Sequence, residues 1–287
     1  MLPFIWGYTW VPLKIGVAYC PPFTFAALRA LPGGLILLGI AAALGRPVRL
    51  KAALHVISVG VLQTGGFMGL TIAALVTGGA GRISILANTW QFWMLLMAWP
   101  LLGERLRGSQ WSSVLLALAG LVLIVEPWKL HGVLSAMLAL AGAVCWAAGS
   151  MIVKLLRRRH EVDTLSMTAW SSLFGSIPLI LVGALVERKS PVWSVHFAWT
   201  LAYALLIGTC FAVFLWFYVL SHLPASIAGL GTMATPVFGI LYSWAQLGEQ
   251  PTVLEGIGMV AILAGSAILF AWGLKEAPPR SGAPART

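Results

Sequence analysis

The sequence predicts an all-α integral membrane protein: ten transmembrane helices arranged as two inverted five-helix repeats. Three observations carry this reading. Hydrophobic residues make up 60% of the 287 and charged residues only 9%, where a soluble domain carries about 25% charged residues. Apolar stretches long enough to cross a bilayer, about 20 residues each, alternate with short charged or Pro/Gly breaks. The chain also matches itself at an offset of 145: Leu96, Trp99 and Leu102-Gly103-Glu104 meet Leu241, Trp244 and Leu247-Gly248-Glu249, and Leu118-Ala119-Gly120 meets Leu263-Ala264-Gly265. This composition excludes a soluble enzyme domain, a nucleic-acid module and any large disordered region. The net charge of +10 is expected in cytoplasmic loops, where membrane proteins collect Lys and Arg.

The spans follow in order. Residues 2–18 are apolar from the start, with Trp6, Trp10 and Pro12 inside, no basic stretch in front and no small-residue cleavage site. They read as a retained membrane helix rather than a cleaved signal, short enough to suit a start codon a few residues upstream. Pro21-Pro22 turns the chain into 22–44, and Gly45-Arg46-Pro47 leads to 55–76. Gly78-Gly79 precedes 80–102, Gly103-Glu104-Arg105 precedes 109–126, and Glu126-Pro127 precedes 131–153. Arg157-Arg158-Arg159 separates that span from 164–186, and Glu187-Arg188-Lys189 separates 164–186 from 197–220. Pro224 and Gly248-Glu249 bound 224–247, and 253–274 is the last span. The repeats are thus 1–126 and 131–274, with a disordered cytoplasmic tail over 275–287.

With the N-terminus inside, twelve of the eighteen basic residues fall in inner loops and the tail, against four outside (Arg82, Lys129, Arg188, Lys189). That bias places both termini in the cytoplasm. Because each repeat has an odd number of spans, the second crosses in the opposite sense. Inverted repeats are the architecture of alternating-access carriers, whose substrate site lies near the midplane.

The Trp6-Gly7 opening, Lys14-Ile15-Gly16, Pro21-Pro22, Ala27-Leu28-Arg29 and the two Gly-Glu ends resemble the drug/metabolite transporter superfamily, in its EamA-domain type. The resemblance covers about Trp6 to Trp272. It departs at one place: a proline often precedes each Gly-Glu by about a dozen residues, and where the second half has Pro236 the first has Gln91. The resemblance implies a bacterial inner-membrane carrier, often an exporter, of small metabolites such as amino acids. A lipid-linked or sugar-carrier flippase of the same superfamily is the alternative. A membrane enzyme would need a nucleophile with a base or a metal cluster, and a scaffold would need large soluble loops; the sequence offers neither. Expected partners are a small-molecule substrate, membrane lipid and a second copy in a homodimer, with no nucleic acid and no cofactor.

Candidate site residues are polar or aromatic groups inside the spans. Gln63, Asn88, Gln91, Thr232 and Thr235 sit centrally, and a polar group in hydrocarbon must face protein, water or ligand. Asn88 with Gln91, and Thr232 with Thr235, are three apart and share a face of a continuous helix; Gln91 and Thr235 are expected to face one cavity. Trp6 and Trp146 stand among the deeper tryptophans, with Trp90, Trp93, Trp170 and Trp216, and an indole-lined cavity suits a bulky or aromatic ligand. Arg29 either contacts an anionic substrate group or snorkels and pairs, and Lys14 shares that choice. Each Gly-Glu is expected to close one helix with Gly and open the next with Glu. The five histidines lie at span ends without metal-ligand spacing, and Cys20, Cys145 and Cys210 are packing residues. No span carries a mid-membrane carboxylate, which argues against a carboxylate proton relay.

Overall fold

The computed structural model describes residues 2–102, 108–125, 132–212, 215 and 235–276, and all regular structure among them is helical. Helix α1 (Leu2–Gly16) turns through 17–21 into α2 (Pro22–Ala43). Pro22 stands in the first turn, where its missing N–H costs nothing. The next two amides donate to one carboxylate far along the chain: Phe23 N to Glu187 Oε1 at 2.7 Å and Thr24 N to Glu187 Oε2 at 2.8 Å. A carboxylate at a helix N-terminus satisfies orphan donors and the dipole together.

Helix α3 (Ala53–Thr77) is continuous, but its centre, Gly60–Met68, is wound as a π-helix of nine residues. Next come α4 (Ala80–Asn88) and α5 (Trp90–Leu102), then α6 (Gly108–Val125), α7 (Val133–Arg159) and α8 (Thr164–Val186). Asp163 caps α8 by accepting from Ser166 N at 2.9 Å. Helix α9 (Val195–Phe211) carries a second nine-residue π segment, Tyr203–Phe211. Helices α10 (Thr235–Leu247) and α11 (Val253–Glu276) complete the chain. Gly248 closes α10 in the left-handed region at φ 67°. A reciprocal pair, Thr252 N to Glu255 Oε2 at 2.9 Å and Glu255 N to Thr252 Oγ1 at 3.2 Å, opens α11.

Among the described residues four helical stretches are long and apolar enough to cross a bilayer: Pro22–Ala43, Ala53–Thr77, Val133–Arg157 and Thr164–Val186. Shorter apolar helices occupy parts of other expected spans. Gly103-Glu104 and much of the eighth and ninth spans, Thr232 included, lie outside the described residues.

The helices pack as α6 on α11, α2 on α8 and α1 on α10; α3 lies between α7 and α8, and α9 between α1 and α2. Lipid gives no hydrophobic force between helices, so close approach at small residues drives association. At the crossing of α3 and α8, a Cβ on Gly175 would stand 2.3 Å from Gly60 O and 2.4 Å from Thr64 Cβ. At the crossing of α6 and α11, a Cβ on Gly120 would lie 2.6 Å from Gly258 O, and one on Gly265 2.8 Å from Ser113 O.

Four expectations need correction. The span over 80–102 is not one helix: it breaks at Thr89, where ψ is −8° and the Thr89 hydroxyl turns back onto Leu86 O at 2.7 Å. Arg82 is not a loop charge. It lies in α4, pairs with Glu255 at 3.3 Å and donates to Val125 O at 3.3 Å, so it ties α4 to the ends of α6 and α11. Glu249 does not open α11. It accepts from Gly81 N at 3.4 Å and from Ser243 Oγ, capping α4 instead. Trp170 is not a deep aromatic; its Nε1 donates to Val48 O, in the turn between α2 and α3, at 2.9 Å.

Candidate substrate site

Gln63 projects from the π segment of α3. Its Nε2 donates to Ser150 Oγ at 3.0 Å and to Trp146 O at 3.4 Å, both on α7, while Ser150 Oγ bonds Trp146 O at 2.8 Å. Gly149 makes room, since a Cβ there would stand 2.5 Å from Gln63 Cγ. The Trp146 ring lies 4.7 Å from Phe67 and 6.3 Å from Trp90. Gln63 and Trp146 therefore meet in one amide-and-indole wall built by α3, α5 and α7.

The other expected residues distribute differently. Asn88 turns its amide back on its own helix, donating to Ser84 O at 2.7 Å. Beyond the break at Thr89, Gln91 Nε2 donates to Ser266 Oγ of α11 at 2.6 Å. The break removes the shared helix face on which Asn88 and Gln91 were paired. Thr235, the first described residue of α10, is buried with its hydroxyl unpartnered among the described residues, and its carbonyl lies 2.9 Å from a Cβ built on Gly7 of α1. Gln91 and Thr235 thus contact different helices, α11 and α1. Trp6 is half-buried on α1, and Thr232 is outside the described residues.

Arg29 crosses from α2 to the second π segment. Its Nε donates to Ala204 O at 3.1 Å and Thr209 Oγ1 at 2.8 Å, and that hydroxyl bonds Ala204 O at 2.9 Å. Among the described residues no hydrogen bond engages its two Nη nitrogens. Lys14 is committed to structure: Nζ donates to Leu75 O at 2.7 Å and Gly78 O at 2.9 Å, closing the end of α3.

Sequence reasoning missed a second aromatic set, on α1, α9 and α10. Tyr8 of α1 lies edge-on to Tyr203 of α9 at 5.1 Å and to Tyr242 of α10 at 5.2 Å. The available signal was phenols inside apolar spans, where each hydroxyl needs a polar neighbour. The interior thus offers neutral amides and hydroxyls, flat indole and phenol faces, and one guanidinium with donors to spare. Among the described residues no group of three or more His, Cys, Asp or Glu could hold a metal ion.

The EamA-like transporter family matches the chain over residues 1–126 and 133–271. The chain is 28% identical over 269 residues to the Uncharacterized transporter YoaV of Bacillus subtilis (strain 168), covering 91% of each. It is 25% identical over 272 residues to a Probable amino-acid metabolite efflux pump of Salmonella typhimurium, covering 91% of this chain and 89% of that one. A solved crystal structure superposes with a TM-score of 0.64 at 22% identity, over 93% of this chain and 95% of the other, and so shares the fold.

Proposed function

We propose that this chain, which belongs to the EamA-like transporter family, exports small organic metabolites such as amino acids across a bacterial inner membrane by alternating access. The observation that carries the reading is where the polar groups meet irregular backbone. Gln63 lies in one π segment and bonds α7; Thr209 lies in the other and receives Arg29. Non-regular backbone at membrane depth is tolerated where protein buries it or where it lines a cavity, and π segments recur at functional sites. The relative named as an amino-acid metabolite efflux pump supports the substrate class and the direction.

Gln63→Leu tests the site. It removes the amide but keeps the apolar volume. If Gln63 only joins helices, the thermal midpoint falls by the equivalent of about 1 kcal/mol and transport per folded molecule is unchanged. The expected result is a folded protein whose amino-acid export from proteoliposomes falls about tenfold or more. Unchanged export would remove this wall from the substrate path.

The inverted repeat draws support from paired features at the same offset. Residues 113 and 120 correspond to 258 and 265 at an offset of 145. The close approach of Gly120 to Gly258 O has its counterpart in that of Gly265 to Ser113 O. Two residues short of that offset, at 143, the two π segments begin at 60 and 203 and have equal length.

Orientation is tested by labelling. A single cysteine at position 190 should react with an impermeant thiol reagent on intact spheroplasts, and one at 159 should not; the reverse pattern would overturn the cytoplasmic termini. Native Cys20, in the α1–α2 turn, is expected to stay silent. It is buried, and desolvation, aided by the nearby Glu187 carboxylate, pushes its thiol up to about 12, so the reactive thiolate is scarce at neutral pH.

A further inference from the structure

A cleft of about 590 Å³ opens where the α2–α3 turn meets the α7–α8 turn, and it shares no residue with the substrate wall. Its rim carries four permanent cations, Arg46, Arg49, Lys51 and Arg157, against two carboxylates, Glu161 and Asp163. Asp163 is already committed, capping α8 and pairing with Arg46 at 3.5 Å. Lys51 reaches the Glu161 carbonyl at 3.5 Å and Arg157 the Thr164 hydroxyl at 2.7 Å, so both ammonium and guanidinium are held at the rim. Arg49 makes no hydrogen bond or ion pair among the described residues. Four cations against two carboxylates leave an excess of positive charge at the rim, with Lys51 and Arg157 held in place and Arg49 unpaired among the described residues.

The walls are preformed. Ser166 Oγ bonds Pro47 O and Trp170 Nε1 bonds Val48 O, pinning the turn to α8. Ala52 takes the left-handed conformation at φ 49°, the only non-glycine residue to do so among those described; such a residue persists only where its surroundings hold it. Beneath the cations the cleft is apolar: Val56 and Met167 are buried, 1% and 7% exposed, with Leu50 and Val162 packed on them. A cationic rim over an apolar floor, where helix ends leave the bilayer, matches an amphiphile with an anionic head.

We infer that this cleft binds a phosphate-bearing anion, delivered as the headgroup of an anionic phospholipid in the surrounding membrane. Arginine forks match phosphate oxygens. The volume, within the range of small-molecule sites, exceeds what phosphate alone fills and leaves room for the glycerol carrying it. Basic pockets between transmembrane helices bind anionic headgroups by the same physics.

The test uses the full chain in detergent and follows its thermal midpoint as phosphatidylglycerol, phosphatidylcholine or glycerol 3-phosphate is added. Phosphatidylglycerol should raise the midpoint saturably and phosphatidylcholine should not. Arg49→Gln with Lys51→Gln should raise the half-saturating concentration about thirtyfold, roughly fivefold per cation. Arg188→Gln with Lys189→Gln, an equal charge change at the far end of α8, should leave it unaltered. Arg49→Gln alone, which loses no bond, repeats the test if the double variant unfolds. A full response to glycerol 3-phosphate would keep the phosphate site and assign it to a soluble ester. Equal weakening by both variant pairs, or no preference for phosphatidylglycerol over phosphatidylcholine, would overturn the inference.

Discussion

Gly175→Val leaves no folded protein, whereas Gly39→Val, on the exposed face of α2, folds as the parent does. The contrast follows from what each new side chain meets. At Gly175 the first added carbon falls 2.3 Å from Gly60 O and 2.4 Å from Thr64 Cβ. Those atoms belong to the backbone and the root of a side chain in the π segment of α3, so neither can swing aside. At Gly39 nothing lies within 4 Å. Overpacking costs about 1–3 kcal/mol where side chains can yield; here two helices must separate, and the cost exceeds about 3 kcal/mol. Size-exclusion profiles and thermal midpoints in detergent decide it. A monodisperse Gly175→Val protein with a parental midpoint would mean that the α3–α8 crossing is looser than described.

Arg29→Gln has the largest expected effect on function. Nε already serves Ala204 O and Thr209 Oγ1, so the guanidinium is anchored by one nitrogen and presents the other two. Glutamine can keep one neutral bond to α9 but carries no charge. Truncating one partner of a buried hydrogen-bonded charge pair costs about 2–5 kcal/mol, so transport of a carboxylate-bearing solute should fall at least about thirtyfold. Arg29→Lys keeps the charge without the planar fork and should fall between. Transport in proteoliposomes is measured beside the thermal midpoint. Full transport by Arg29→Gln would reduce the residue to a strut between α2 and α9.

Much of the helix layout was legible because span ends are written in residue chemistry. Pro22 opens α2, Asp163 caps α8, and Gly248 closes α10, each where sequence reasoning placed a break. What was not legible depends on partners distant in the chain. Gly60–Met68 reads locally as ordinary apolar helix, and its π winding accompanies two contacts distant in the chain, the close approach of Gly175 to Gly60 and the reach of Gln63 to α7. The break at Thr89 falls among Asn88, Thr89 and Gln91, polar residues that sequence reasoning assigned to one continuous helix. Within the candidate site, Gln63 and Trp146 came together, and their common partner Ser150 was overlooked because serine inside a span reads as packing. Gln91 was aimed at α10 on the assumption of a straight helix; the turn at Thr89 points it at Ser266 instead. Charge counting placed Arg82 in an outer loop, and Glu249 was expected to open the next helix, yet Arg82 holds Val125 O at the end of α6 and Glu249 caps α4.

The turn between α3 and α4 is grasped from two sides by opposite charges. Lys14 holds the carbonyls that end α3, and Glu249 holds the Gly81 amide near the start of α4. A motion that parts α1 from this corner releases an ammonium, one that parts the α10–α11 turn releases a carboxylate, and water can hydrate each of them and its backbone partners. An apolar seal behaves otherwise, for opening it wets hydrocarbon and raises the heat capacity. Exposing polar groups lowers the heat capacity. A corner fastened this way opens with a calorimetric signature opposite to that of an apolar seal, so the two kinds of closure are separable by temperature dependence even when both hold the same helices.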